Sequence, residues 1–122
     1  MDFSARLLPE TYADDEPVGF AAVEASSLPG PVPDAHWSYV PEPLWQRVLS
    51  LGNAYRLHFA QVVEPVIDTV LDSSQCQSLC IELEFLSGIV TDPAAAGAFA
   101  VLLEHAHRVS RQPSLRLIIS PP

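Results

Sequence analysis

Seven of the chain's twelve prolines fall within its first 43 residues. Proline lacks the backbone donor and restricts the residue before it, so Leu28-Pro29-Gly30-Pro31-Val32-Pro33 can continue neither a helix nor a central strand. The same stretch holds eight of the fifteen acids, with Arg6 as its only base. Residues 1–43 therefore read as an extended, acidic, proline-rich arm and not an independent domain, and residues 44–122 as the folded body. Val18 to Val23 could still form a strand within that arm. Trp37 and Tyr39 argue that part of it packs on the body, because disordered tails are poor in such residues.

A length of 122 residues suits one domain. The formal charge of −9 and the absence of lysine leave Arg6, Arg47, Arg56, Arg108, Arg111 and Arg116 as the only fixed cations. Six scattered arginines make no basic patch to replace phosphate counterions, which excludes a nucleic-acid binder. The start, Met1-Asp2-Phe3-Ser4-Ala5-Arg6, has neither the basic residues nor the apolar run of a secretory signal. No apolar run approaches the roughly 20 residues of a membrane span. The expectation is a cytoplasmic protein without direct membrane insertion. Cys76 and Cys80 read as two reduced thiols near the start of a buried strand.

Past the arm the pattern becomes regular. Leu44, Trp45, Val48 and Leu49 recur at helical spacing until Gly52-Asn53. Tyr55, Leu57 and Phe59 then alternate as in a strand, and Glu64-Pro65 opens a helix with Val66, Ile67, Val70 and Leu71 on its apolar side. A rival reading joins residues 43–73 into one helix kinked at Pro65. Within 79–86, Ile81, Leu83 and Phe85 alternate with Glu82 and Glu84, which predicts a half-buried strand. Asp92-Pro93 starts a helix over 93–110, with Phe99, Leu102, Ala106 and Val109 as its buried stripe and Pro113 beyond its end. Leu115 to Ile119 is a last strand. Strand, helix, strand makes a βαβ unit with parallel strands. The fold class expected is α/β, a small, mostly parallel sheet with helices.

The run Cys80-Ile81-Glu82-Leu83-Glu84-Phe85-Leu86-Ser87-Gly88-Ile89-Val90-Thr91-Asp92, followed by Pro93-Ala94-Ala95-Ala96-Gly97, resembles the STAS domain of bacterial anti-sigma factor antagonists. Asp92 falls on the family aspartate and Gly97 on its second helix glycine, and the likeness covers about residues 55–120. It implies a STAS-like fold and a regulatory role through protein partners. Pro93 stands where the family has its phosphorylated serine, so a serine switch there is chemically impossible. Glu82 replaces the usual strand aspartate, and Pro122 comes directly after the expected last strand, where the family usually adds a further helix.

Chemistry is sparse. Asp92 reads as a helix cap, with no base or nucleophile near it in sequence. His105 and His107, two apart on a helix, point about 200° from each other and cannot share a metal. No phosphate loop, nucleophile elbow or metal-spaced acid pair occurs. The expectation is therefore no enzyme, no cofactor and no metal, with catalysis by His58 or Asp92 the weaker alternative. If Phe99, Leu102 and Ala106 face inward, the opposite face of the 93–110 helix offers small and then charged residues. Asp92, Pro93, Ala94, Gly97, Val101, Glu104 and Arg108 are thus the expected partner-binding residues. The partner would be a regulator, kinase or transporter subunit. Alternatively, size and acidity suit an immunity or antitoxin-type inhibitor of a basic toxin, with the acidic arm as its surface.

Overall fold

The computed structural model describes residues 16–28, 30, 32–33 and 36–122. The remainder of the expected arm, including residues 1–15, lies outside the described residues. The elements run β1 (Pro17–Glu24), a 3-10 turn (Ala25–Ser27), β2 (Trp37–Pro41), α1 (Glu42–Ala54), a one-turn α2 (Phe59–Val62), β3 (Thr69–Leu71), α3 (Ser73–Ile89), α4 (Pro93–Arg111) and β4 (Leu115–Ser120).

Among the described residues the sheet has four strands in the order β2-β1-β4-β3, and every neighbouring pair is antiparallel. The expectation of a mostly parallel sheet is overturned. Its parallel pair needed a strand at 79–86, and that segment lies inside α3. The last strand, β4, is flanked instead by β1 (Phe20 opposite Ile119) and β3 (Thr69 opposite Ile119). The strand expected at 55–59 is a turn entering α2, and the helix expected from Glu64 is a loop entering β3. Of the readings of residues 43–73, the first helix holds as α1, while the strand and helix after it and the single kinked helix do not.

Residues of the expected arm supply the inner strand β1 and the edge strand β2. Every interior residue of β1 is buried, as a strand covered on both faces must be. Pro17 sits at its first position, where a missing donor interrupts least. Val18, Phe20 and Ala22 face the helices, joining Val40, Leu71, Leu115, Leu117 and Ile119 in one core with Trp45, Leu83, Phe99 and Leu102. Phe20 meets Trp45 edge-on at 5.2 Å. On the other face Ala21, Val23 and Ile118 are covered by Leu28, Val32 and Trp37. A Cβ on Gly19 would lie 2.9 Å from the Trp37 ring, so only glycine lets that indole lie against the sheet.

Helix boundaries follow local chemistry. A capping box starts α3: Gln75 N–H donates to Asp72 Oδ1 at 2.8 Å, and Asp72 N–H donates to Gln75 Oε1 at 2.9 Å. At α4 the Asp92 carboxylate accepts from Ala94 N–H at 3.1 Å, and Pro93 opens the first turn. The cap expected of Asp92 is present. Arg108 and Arg111 in the last turn complement the helix dipole. Ser73 Oγ donates to the Ser110 carbonyl at 3.0 Å, tying the start of α3 to the end of α4 in an antiparallel pair.

Candidate protein-docking site

The side chains of α3 divide into two opposed apolar sets. Cys76, Leu79, Cys80, Leu83 and Leu86 are buried, at spacings of three, one, three and three. Ile81, Phe85 and Ile89, each four residues apart, stand on the opposite side with 70%, 48% and 44% exposure. A helix normally keeps such residues on its core side. Three large apolar side chains stacked in solvent need another explanation.

Neighbouring elements complete this face. α1 ends in a Schellman turn: Arg56 N–H donates to the Asn53 carbonyl at 3.0 Å and Leu57 N–H to the Gly52 carbonyl at 2.8 Å. Arg56 takes the left-handed conformation (φ 57°) that glycine usually supplies there. The turn presents Tyr55, whose ring meets Phe85 edge-on at 5.5 Å. A Cβ on Gly52 would lie 2.7 Å from Phe59 Cζ, so the bare glycine lets Phe59 seat α2 against α1. From α3, the Glu82 carboxylate accepts the backbone N–H groups of His58 and Phe59, the latter at 3.1 Å, and so caps α2 from across the gap.

Between α2 and α3 this leaves a cavity of about 150 Å³. Phe59, Val62, Leu71 and Leu79 form apolar walls, and His58, Ser74, Gln75, Ser78 and Glu82 bring polar groups. Ser78 and Glu82 lie one turn before Glu82 and Phe85, so cavity and stripe share one flank of the helix. A separate apolar group, Val66, Ile67 and Val70, is exposed around β3.

The residues expected to bind a partner are arranged otherwise. Asp92 caps α4 and pairs with Arg47 Nη1 at 2.9 Å. Pro93, Glu104 and Arg108 are exposed, Ala94 and Val101 pack half-buried against the core, and Gly97 is buried. The small-residue face of α4 is thus closed at its centre. Small residues here bring parts of the same chain together, since α4 packs on α1, α3 and the sheet. His105 and His107 reach apart, His105 to Ser38 Oγ on β2 at 2.9 Å and His107 to Glu84 on α3 at 3.2 Å. Both thiols are free and buried. Burial pushes Cys76 up to about 12 and raises Cys80, so both stay protonated and weakly nucleophilic at neutral pH.

Burial also lowers the pKa of His105; Arg108 adds to this and Glu104 opposes it. The folded state then binds the proton less readily than the unfolded chain. The stability from neutral His105 is complete above about pH 6.5 and is lost as pH falls toward the depressed value. The melting temperature should therefore drop between about pH 7.5 and pH 5.5, and His105→Gln should flatten that drop. Equal slopes for the two proteins in thermal melts would remove His105 as the cause.

Compared with known proteins, the chain matches no family model, no curated protein and no solved structure. Among the described residues no helix is long and apolar enough to cross a membrane. The fold alone defines the class: a two-layer α/β domain with an antiparallel sheet and helices on one face.

Proposed function

We propose that this chain is a non-enzymatic, cytoplasmic protein-interaction module that docks a partner on the outer face of α3. The supporting observation is the stripe Ile81, Phe85 and Ile89, extended sideways by Tyr55 and the adjoining cavity. Contiguous exposed apolar surface on a small domain marks a contact site, and scattered single residues do not. Aromatic anchors beside a pocket are the usual centre of binding energy. The partner is a regulatory protein or a subunit of a larger assembly. A second reading, inhibition of a basic toxin, is favoured by the net charge of −9 without any lysine.

The test is capture with the tagged protein and with an Ile81→Ser/Phe85→Ser variant, read by quantitative mass spectrometry. A partner held by the native protein should fall at least about tenfold in the variant, as loss of two central anchors implies. Melting temperature should change little, because neither side chain belongs to the core. Equal recovery from both proteins would overturn this docking face. A sigma-factor regulator, kinase or transporter subunit in the lost fraction supports the first reading, and a toxin the second.

A further inference from the structure

We infer that the occupant of the α3 face is an amphipathic helix of a basic partner, with one apolar side chain seated in the cavity between α2 and α3. This rests on the docking reading above and adds the chemistry of the ligand.

Shape is the first ground. The stripe repeats once per turn, and from Ile81 to Ile89 it rises about 12 Å. Ser74, Ser78 and Glu82 extend the same flank toward the start of α3 and open on the cavity. The whole face is an apolar stripe continued by Ser74, Ser78 and Glu82 over about four turns, with the cavity beside one end. A helix with apolar residues at i, i+3 or i+4, and i+7 packs its own stripe along such a face. One further leucine-like or aromatic anchor enters the cavity, whose apolar walls are Phe59, Val62, Leu71 and Leu79.

Charge is the second ground, and it decides between partners. Glu82 and Glu84 are the only charged residues of α3. At about 100° per residue they fall on opposite sides of the stripe. A second copy of this chain would bring carboxylates against carboxylates and oppose two molecules of charge −9. The Glu82 carboxylate also caps α2 and Glu84 also lies 3.2 Å from His107, but among the described residues neither pairs with an arginine, so lysine or arginine on both flanks of an apolar stripe meets this surface with attraction.

The probes are two fluorescein-labelled synthetic helices of about 16 residues, with identical leucine stripes and either lysine or glutamate on both flanks. Binding to the full chain is read by fluorescence anisotropy. The lysine peptide should bind at least about tenfold tighter than its glutamate twin, and rising salt should narrow the gap. Phe85→Ser should weaken the lysine peptide at least about tenfold. Glu84→Lys, at an exposed position, should shift preference toward the glutamate twin by about three- to tenfold. Equal binding of the two peptides, or no response to Phe85→Ser, overturns the inference. So does light scattering that shows a dimer dissociated by Phe85→Ser, which would make the occupant a second copy. If the native partner is still lost from the Ile81→Ser/Phe85→Ser variant while the peptides bind alike, docking on α3 stands and the basic helix alone is rejected.

Discussion

Leu83→Ala should lower the free energy of unfolding by roughly 2–5 kcal/mol, while Phe85→Ala, two residues on, should cost about 1 kcal/mol or less. Leu83 has no exposed surface and lies in the main core with Phe99 and Leu102. Truncating it removes transfer energy and leaves a cavity that the packed α3–α4 pair can close only in part. Phe85 is half exposed, and its main loss would be the edge contact with Tyr55. Urea unfolding of the two variants measures the difference. In a strand, residues 83 and 85 share a face and their truncations would cost alike. In a helix they lie about 200° apart. Similar losses would therefore reject α3, and with it the docking surface.

That pair of residues also explains why part of the molecule was legible in the sequence and part was not. The segment 79–86 satisfies two periods at once. Ile81, Leu83 and Phe85 alternate with two glutamates, while Cys76, Leu79, Cys80, Leu83 and Leu86 keep helical spacing. Because Ile81 and Phe85 are exposed apolar residues, the helix lacks the polar face that would have identified it. Two signals could have decided the matter. Asp72 and Gln75 form a recognisable capping pair, and the 17 residues of α3 contain one glycine and no proline. The same error concealed the site, since the stripe exists only in the helical reading.

Elsewhere the local chemistry was unambiguous. Asp92-Pro93 and the spacing of Phe99, Leu102, Ala106 and Val109 mark α4 with its cap, and branched residues mark β4. β1 was visible as a short apolar run, but its central place was not, because pairing with β4 joins residues nearly a hundred positions apart. Gly52-Asn53 marks the end of α1 to within two residues, but that the missing side chain of Gly52 seats Phe59 depends on tertiary packing. A three-residue strand such as β3 is too short to show any period. The small residues of α4 were visible, but whether they meet a partner or their own chain is decided by tertiary packing.

Removing residues 1–43 should abolish cooperative folding of what remains. The loss would include β1 and β2, half the strands of the sheet. Val18, Phe20, Ala22 and Val40 would leave the core together. β4 would keep only the three-residue β3 beside it, and its carbonyls and N–H groups facing β1 would be left without partners. Single substitutions scale the effect: Phe20→Ala alone should cost roughly 3–5 kcal/mol, for a fully buried ring that also loses its edge contact with Trp45. Domains of this size are stable by only about 5–15 kcal/mol, so Phe20→Ala should leave a weakened fold and the truncation none. Circular dichroism melts and amide NMR spectra of both proteins decide the point. A dispersed spectrum and a sharp melt for residues 44–122 alone would mean that the body folds without β1. The proline-rich segment would then be an appendage, and the antiparallel sheet described here would be wrong at its centre.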